Sequence, residues 1–419
     1  MNLFDLIAVL ITAAALFSWI NHRFLKLPTT IGVMLIALAL ALALAVLDRV
    51  GIALVDEVTA VLAAIDFDEA LLHGMLSFLL FAGALHVNLE DLRRHKWVVA
   101  TLASFGVLIS TALVGLSAWL LFQAMGLGIG LIWCLLFGAL ISPTDPIAVL
   151  ATLKRVGAPK ALEIKIAGES LFNDGVGVVV FIVLLGIATG QAETTAAAIA
   201  EIFLLEAVGG AVFGLALGLV GYQLLKSVDS YEVEVLLTLA MVTGGYALAY
   251  HLHLSAPIAI VVAGLMIGNQ GRAFAMSDNT RERLDEFWEL VDEILNAVLF
   301  LLIGIEVLVL TFDLQRLLAG VALVPVVLAI RFVSVGTPIA LFRLRREFPP
   351  RTIRILTWGG LRGGISVALA LSLPAGPIRE QLLMATYVIV LFSLLVQGLT
   401  ISRLLPPPAP PVTTGSGSD

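Results

Sequence analysis

The sequence predicts an all-α polytopic membrane protein with about thirteen transmembrane helices. Hydrophobic residues make up 60% of the 419-residue chain and charged residues only 13%, which is far from the composition of a soluble domain. Apolar runs of about 17 or more residues recur along nearly the whole chain, and this is the length that a helix needs to cross a bilayer. The runs are continuous rather than alternating, which excludes a transmembrane β-barrel.

The individual spans follow from these runs. Segment 51–66 is amphipathic and acidic, so we expect it to lie at the membrane interface. The tail 406–419 is rich in Pro, Ser and Gly, and we predict that it is disordered. The predicted spans are 3–21, 29–47, 70–88, 97–124, 129–153, 162–189, 200–226, 232–253, 255–270, 287–310, 314–342, 352–373 and 379–404.

The distribution of Lys and Arg predicts the orientation. Most of the 24 basic residues lie in alternate loops, whereas the opposite loops and helix ends hold only Arg49, Arg316 and Arg379. The positive-inside rule then places the N-terminus outside and the C-terminus in the cytoplasm, as in a bacterial inner membrane. The basic cluster 343–346 is expected to contact anionic lipids on the cytoplasmic side.

Two of the predicted helices are interrupted at matching positions. Thirteen spans with opposite-facing termini suggest two six-helix units of inverted orientation, spans 1–6 and 8–13, in which span 5 corresponds to span 12. Pro143 and Pro146 interrupt span 5, and the glycine pairs 359–360 and 363–364 interrupt span 12. Broken helices at corresponding positions are the best sequence indication of a midplane binding site in a transporter.

The breaks and span 6 carry ionisable residues at membrane depth. An ionised group at the centre of a spanning helix costs roughly 2.5–3.5 kcal/mol on insertion scales, so such groups usually line a path for ions or protons. From the helix rise, Asp174 lies about 18 Å, Arg362 about 15 Å and Asp145 about 12 Å from the cytoplasmic ends of their helices. All three therefore fall near the middle of a core about 30 Å thick.

The oxygen-bearing residues near this depth suit a hard monovalent cation. Ser170 and Asp174 are four residues apart and share a helix face, so a hydroxyl and a carboxylate can bind one ion together. No cluster of Cys and His suggests a transition metal, and we expect no cofactor. Arg331, deep in span 11, is expected to balance buried charge. Glu206 and Glu306 lie within about two turns of their outer helix ends and can reach the interface, so structural roles are favoured. The six His residues lie at or near span ends, where solvated histidines are ordinary.

Two segments carry a resemblance to a known family. Residues 138–181, GALISPTDPIAVLATLKRVGAPKALEIKIAGESLFNDGVGVVVF, and residues 358–374, WGGLRGGISVALALSLP, resemble the signature segments of the monovalent cation:proton antiporter-1 family, the NhaP/NHE-type sodium/proton exchangers. The resemblance covers roughly residues 1–404. It implies an NhaA-like fold with inverted repeats, a homodimer, and exchange of Na⁺ or Li⁺ for H⁺ by alternating access.

The same resemblance implies roles for individual residues. Asp174 would be the carboxylate that binds the ion and the proton, with Ser170 and the backbone carbonyl of Thr144 as further ligands. A second group would hold the crossing of the broken helices together and balance its charge. By the resemblance this group comprises Asn173, Asp145 and a buried ion pair between Glu169 and Arg362.

The resemblance also implies a division of the chain into domains. Residues 1–96 and 191–313 would hold the linker and the helices on the dimerisation side. Residues 97–190 and 314–405 would form the two halves of a moving core domain. Neither a nucleic-acid partner nor an enzymatic activity is expected.

The sequence departs from the family pattern on the third helix. Many members carry a Glu there, whereas this chain has Ala82 and Gly83 in the stretch FLLFAGALHVNLEDL. The preference among Na⁺, Li⁺ and K⁺ is therefore open, and a K⁺/H⁺ antiporter or a cation channel is an alternative. An intramembrane aspartyl protease also uses two buried Asp residues, but the chain lacks the Gly-x-Gly-Asp segment of that class.

Overall fold

The computed structural model describes residues 3–49, 74–156, 160–190, 195–308, 313–344, 348–349 and 351–404. Within these ranges the secondary structure is helical apart from one isolated β-bridge. Short π-helical turns extend α1, α11 and α16 at their C-terminal ends. The helices are α1 (Leu3–Ile20), α2 (Thr29–Arg49), α3 (Leu76–Leu85), α4 (Leu89–Ala103), α5 (Phe105–Ala124), α6 (Leu131–Ile141), α7 (Ile147–Val156), α8 (Lys160–Ala188), α9 (Ala196–Lys226), α10 (Tyr231–His251), α11 (Ala256–Met266), α12 (Asp278–Ile305), α13 (Leu314–Arg343), α14 (Thr352–Trp358), α15 (Gly364–Leu371) and α16 (Pro377–Phe392).

The predicted all-helical fold is confirmed, and each predicted span contains helical structure. The predicted span 97–124 is preceded by further helix, because α4 begins at Leu89 and only Ser104 separates it from α5. The helix for the predicted span 287–310 begins at Asp278, where the sequence is too polar to be recognised as membrane-spanning. Segment 51–66, the tail 406–419 and part of the cluster 343–346 lie outside the described residues. The count of thirteen crossings stays a prediction.

The outer surface of the helices is apolar. In the described part of the chain, eight helical segments have the length and hydropathy to cross a membrane, and α3 and α6 are shorter apolar helices. Large side chains on the poorly covered helices point outward, among them Trp19 of α1 and Leu204 and Val212 of α9. Exposure of so much apolar surface is compatible with a lipid environment rather than with water. The protein is an integral membrane protein.

The largest hydrophobic core surrounds the two broken helices. Helix α6 packs between α5 and α8, and α15 packs between α6 and α16. Phe137 of α6, Phe181 of α8 and Ala370 of α15 are buried in the same cluster, with residues of α13 and α16 on its far side. The half-helices on either side of the breaks are therefore held by apolar packing, while the breaks themselves expose polar backbone groups to one another.

Candidate cation-binding site

The first break joins α6 to α7. Helix α6 ends at Ile141 and α7 begins at Ile147, and the prolines between them cannot donate helical hydrogen bonds. The hydroxyl of Ser142 donates back to the carbonyl of Gly138 at 2.6 Å. At the other end, the backbone N–H of Ile147 donates to Oδ1 of Asp145 at 2.9 Å. The Asp145 carboxylate therefore caps the N-terminus of α7, where a negative charge is stabilised.

The second break joins α14 to α15 and crosses the first. The backbone N–H of Asp145 donates to the carbonyl of Leu361 at 2.8 Å, and the two segments form an antiparallel bridge there. Glycine is required on both sides of this contact. A Cβ at Gly360 would lie 2.5 Å from Nε of Arg331, and a Cβ at Gly363 would overlap Oδ2 of Asp145. The two predicted interruptions therefore meet as crossing broken helices.

Arg362 binds the backbone of the first break. Its side chain is buried, and Nη1 donates to the carbonyls of Ser142 and Pro143, at 2.9 Å for Pro143. Its own backbone N–H donates to the hydroxyl of Ser393 at 2.9 Å. The guanidinium thus offsets the partial negative charge at the C-terminal end of α6, whose last carbonyls have no helical donors.

The ion pair of Glu169 differs from the expectation. Oε1 of Glu169 lies 2.6 Å from Nη1 of Arg331, and both side chains are buried. The predicted partner Arg362 is instead engaged with the carbonyls of the first break, and interacts with Glu169 only as a nearby charge. Arg331 reaches Glu169 from α13 because Gly360 leaves room for its guanidinium, which also donates to the carbonyl of Leu356 at 3.3 Å.

Three of the predicted site residues form one hydrogen-bonded group. The amide of Asn173 accepts from the backbone N–H of Thr144 at 3.3 Å and donates to its hydroxyl at 2.8 Å. The hydroxyls of Thr144 and Ser170 lie 3.1 Å apart. Asn173 therefore holds α8 against Thr144 of the first break, and the described contacts show no hydrogen bond from it to Asp145. All three side chains are buried.

Asp174 follows directly after Asn173 and is 6% exposed. Among the described residues it has neither a hydrogen bond nor an ion pair that would fix its charge, and it interacts electrostatically with Asp145. A buried carboxylate without a basic partner is unfavourable unless a proton or a cation accompanies it. No group of three or more His, Cys, Asp or Glu residues that could hold a metal ion occurs in the described ranges.

Two further helices, α3 and α12, bear on the charge of this site. Helix α3 contains no acidic residue, so it contributes no carboxylate to the site. Ala82 is buried, and a Cβ at Gly83 would lie 3.9 Å from a methyl group of Leu171. The sequence reasoning missed Asp292 of α12, which interacts electrostatically with Asp145. The available signal was a carboxylate inside the predicted span 287–310.

Comparison with known proteins shows which family the chain is similar to. The family described as "Sodium/hydrogen exchanger, transmembrane" matches residues 10–406. The chain is 52% identical over 406 residues to the Na⁺/H⁺ antiporter NhaP of Pseudomonas aeruginosa, covering 96% of each chain. It is 34% identical to the Na⁺/H⁺ antiporter NhaH of Halobacillus aidingensis, covering 96% of this chain and 95% of that protein.

A solved structure shares the fold at much lower sequence identity. The sodium proton antiporter MjNhaP1 of Methanocaldococcus jannaschii at pH 8 superimposes with a TM-score of 0.75 at 20% identity, covering 96% of this chain and 98% of that chain. The resemblance in the two signature segments is thus confirmed over nearly the whole length. The chain belongs to the sodium/hydrogen exchanger family, and is a secondary transporter rather than an enzyme.

Proposed function

We propose that the chain exchanges one Na⁺ for one H⁺ and that Asp174 binds the two in turn. The observation that carries the proposal is the buried carboxylate of Asp174, which has no basic partner among the described residues and lies beside the crossing of two broken helices. The hydroxyls of Ser170 and Thr144 are on the preceding turn and on the facing break. The names of the relatives, which are Na⁺/H⁺ antiporters, support Na⁺ as the substrate.

Competition at a single carboxylate makes the exchange obligatory. A proton on Asp174 removes the charge that a dehydrated cation needs, so the site holds one or the other. Alternating access then couples the two fluxes if the site changes sides only when it is occupied. Translocation would move a core of residues 97–190 and 314–405 against residues 1–96 and 191–313, which form the dimerisation side of a homodimer.

The environment of the neighbouring residues supports an electroneutral cycle. Asn173, directly before Asp174, cannot titrate. We propose that Asp145 stays ionised through the cycle: the hydrogen bond from the backbone N–H of Ile147 favours its charged form, whereas its burial opposes that form. The loaded site then carries the same net charge with H⁺ as with Na⁺, and the cycle produces no net current.

The test uses purified protein in proteoliposomes. Collapse of a dye-reported pH gradient is measured after addition of Na⁺, Li⁺ or K⁺, and Na⁺ uptake is measured after a pH jump. K⁺ and valinomycin set the membrane potential at zero or at a large negative value. We expect collapse with Na⁺ and Li⁺ and the same uptake rate at both potentials.

Two outcomes contradict the proposal. Collapse with K⁺ but not with Na⁺ would make the protein a K⁺/H⁺ antiporter of the same fold. A marked rise of Na⁺ uptake at negative potential would require more than one proton per cation, and Asp145 would be the first residue to test as the second proton carrier.

A further inference from the structure

Helix α12 brings a third carboxylate to the site. Asp292 is half-buried, and the charges that act on it are those of Asp145 across the site and of Glu289 and Glu293 on its own helix. No ion pair joins Asp292 to a basic residue in the described part of the chain. Its hydrogen-bonding neighbour is Asn296, one turn further along α12.

The backbone of the second break connects this face of α12 to Asp145. Asp292, Asn296 and Leu299 are spaced at i, i+4 and i+7, so they lie on one face of the helix. Leu299 packs against the second break, because a Cβ at Gly364 would lie 2.6 Å from its side chain. The adjacent Gly363 packs against the carboxylate of Asp145. The face that carries Asp292 therefore borders the crossing of the broken helices.

Asn296 supplies an unused oxygen on the same face. It is 2% exposed, and its Nδ2 donates to the backbone carbonyl of Asp292 at 2.8 Å. Its Oδ1 is buried and accepts no hydrogen bond from the described residues. A buried amide oxygen without a donor is unfavourable. Amide and carboxylate oxygens are ligands of hard cations, so a cation bound on this face of α12 would find both types of ligand.

The local charge balance also calls for a cation. Asp145 interacts electrostatically with both Asp174 and Asp292, and like charges on these carboxylates repel one another. The two buried arginines are engaged elsewhere, since Arg331 pairs with Glu169 and Arg362 binds backbone carbonyls. No described arginine therefore pairs with these carboxylates, and a bound cation or proton would offset their repulsion.

We propose that Asp292 and Asn296 form a second contact site for the transported cation. This site lies next to Asp145, on the path by which the cation reaches Asp174. Asp292 lies about 21 Å along α12 from Asp278, near the middle of the helix. The inference rests on the proposed Na⁺/H⁺ exchange and adds a position at which the cation binds as it enters or leaves.

The test separates cation affinity from turnover. Na⁺-dependent collapse of a pH gradient is measured in proteoliposomes over a range of NaCl concentrations for the wild type, Asp292→Asn and Asn296→Ala. We expect Asp292→Asn to raise KM for Na⁺ roughly tenfold, equal to about 1.4 kcal/mol, with the maximal rate largely retained. Asn296→Ala removes one ligand oxygen without a change of charge, and we expect a smaller rise in KM.

Glu293→Gln is the matched control, because Glu293 is the exposed neighbour of Asp292 and its loss removes the same charge from α12. We expect its KM to be that of the wild type. An unchanged KM in Asp292→Asn, or an equal rise in Glu293→Gln, would overturn the inference. If Asp292→Asn does not yield folded protein by size-exclusion chromatography, an unchanged KM in Asn296→Ala overturns it instead.

The proposed function fails independently of this inference. Exchange that persists in Asp174→Asn would contradict the role of Asp174, whatever the KM values of the α12 variants. A selective rise in KM in Asp292→Asn, with exchange abolished in Asp174→Asn, supports both.

Discussion

Two buried carboxylates lie little more than one turn apart on α8 and have opposite environments. Glu169 forms an ion pair with Arg331 of α13, with 2.6 Å between Oε1 and Nη1. Asp174 has no ion pair with any described residue, and its charged neighbour is another acid, Asp145. One helix thus carries a carboxylate whose charge is balanced within the protein and a carboxylate whose charge is left for an exchangeable ion.

The difference indicates which buried charge is structural and which is functional. A carboxylate with a fixed arginine gains little from binding Na⁺, because its charge is already balanced. An unpaired carboxylate buried on the same helix is unfavourable when no ligand is bound, and a proton or a cation removes that cost. The absence of a basic partner is therefore the property that suits Asp174 to bind two ligands in turn.

Replacement of Asp174 has the largest expected effect. Asp174→Asn is nearly isosteric but cannot hold a charge, so Na⁺-dependent proton flux in proteoliposomes should fall to the background of protein-free vesicles. The protein should remain folded, because no described ion pair is broken. Flux is followed by a pH-sensitive dye, and folding by size-exclusion chromatography.

Asp278→Asn is the matched control, because it makes the same chemical change at a fully exposed position of α12, where the side chain is 99% exposed. It should exchange at the wild-type rate. More than residual flux in Asp174→Asn would remove the distinction between the two carboxylates of α8.

The ion pair of Glu169 should affect stability. Glu169→Ala and Arg331→Ala each leave a buried charge unpaired, and each should destabilise the protein by about 3–5 kcal/mol. The double variant should lose less than the sum of the two losses, because the second substitution removes the charge that the first left unpaired. Thermal unfolding of the protein in detergent, followed by tryptophan fluorescence, measures the three losses.

Arg362→Ala provides the comparison for this cycle. Arg362 contacts the carbonyls of the first break rather than Glu169. The coupling energy between Arg362→Ala and Glu169→Ala should therefore be smaller than the coupling energy between Arg331→Ala and Glu169→Ala. Equal or larger coupling would restore Arg362 as the partner of Glu169, as the family resemblance implied.

Stabilisation by Na⁺ is the smallest expected effect. A ligand that binds only the folded state stabilises it by about 2.7 kcal/mol at a hundredfold excess over Kd, which corresponds to a few degrees in Tm for a chain of this size. NaCl should raise the Tm of the wild type relative to choline chloride, and should do so equally in Asp278→Asn. The shift should vanish in Asp174→Asn, and a shift that persists there would place the bound cation elsewhere.

Much of this arrangement was predictable because it follows from local sequence. Pro143 and Pro146 remove backbone donors from one helix, and the glycine pairs around Arg362 weaken another, so the positions of both breaks follow from the sequence. The i, i+4 spacing of Ser170 and Asp174 is fixed by helical geometry. Hydropathy indicated that Glu169 and Asp174 are buried.

Pairing between helices was not predictable in the same way. The family resemblance implied that Glu169 pairs with Arg362, and depth along a helix could not distinguish Arg362 from Arg331, since both lie inside predicted spans. Likewise, Asn173 contacts Thr144 rather than Asp145 because the rotation of α8 about its axis decides which group it reaches. Asp292 was overlooked because only the packing of α12 against the second break brings it near Asp145.

The sequence by itself determined the helices, their breaks and the depth of each charge, since these follow from hydropathy, backbone chemistry and the rise per residue. Only the tertiary structure decided which charges neutralise one another, because that depends on close approaches such as the one Gly360 allows to Arg331. Glu169 is paired and Asp174 is unpaired for that reason, and the difference separates a structural acid from the proposed ion-binding one.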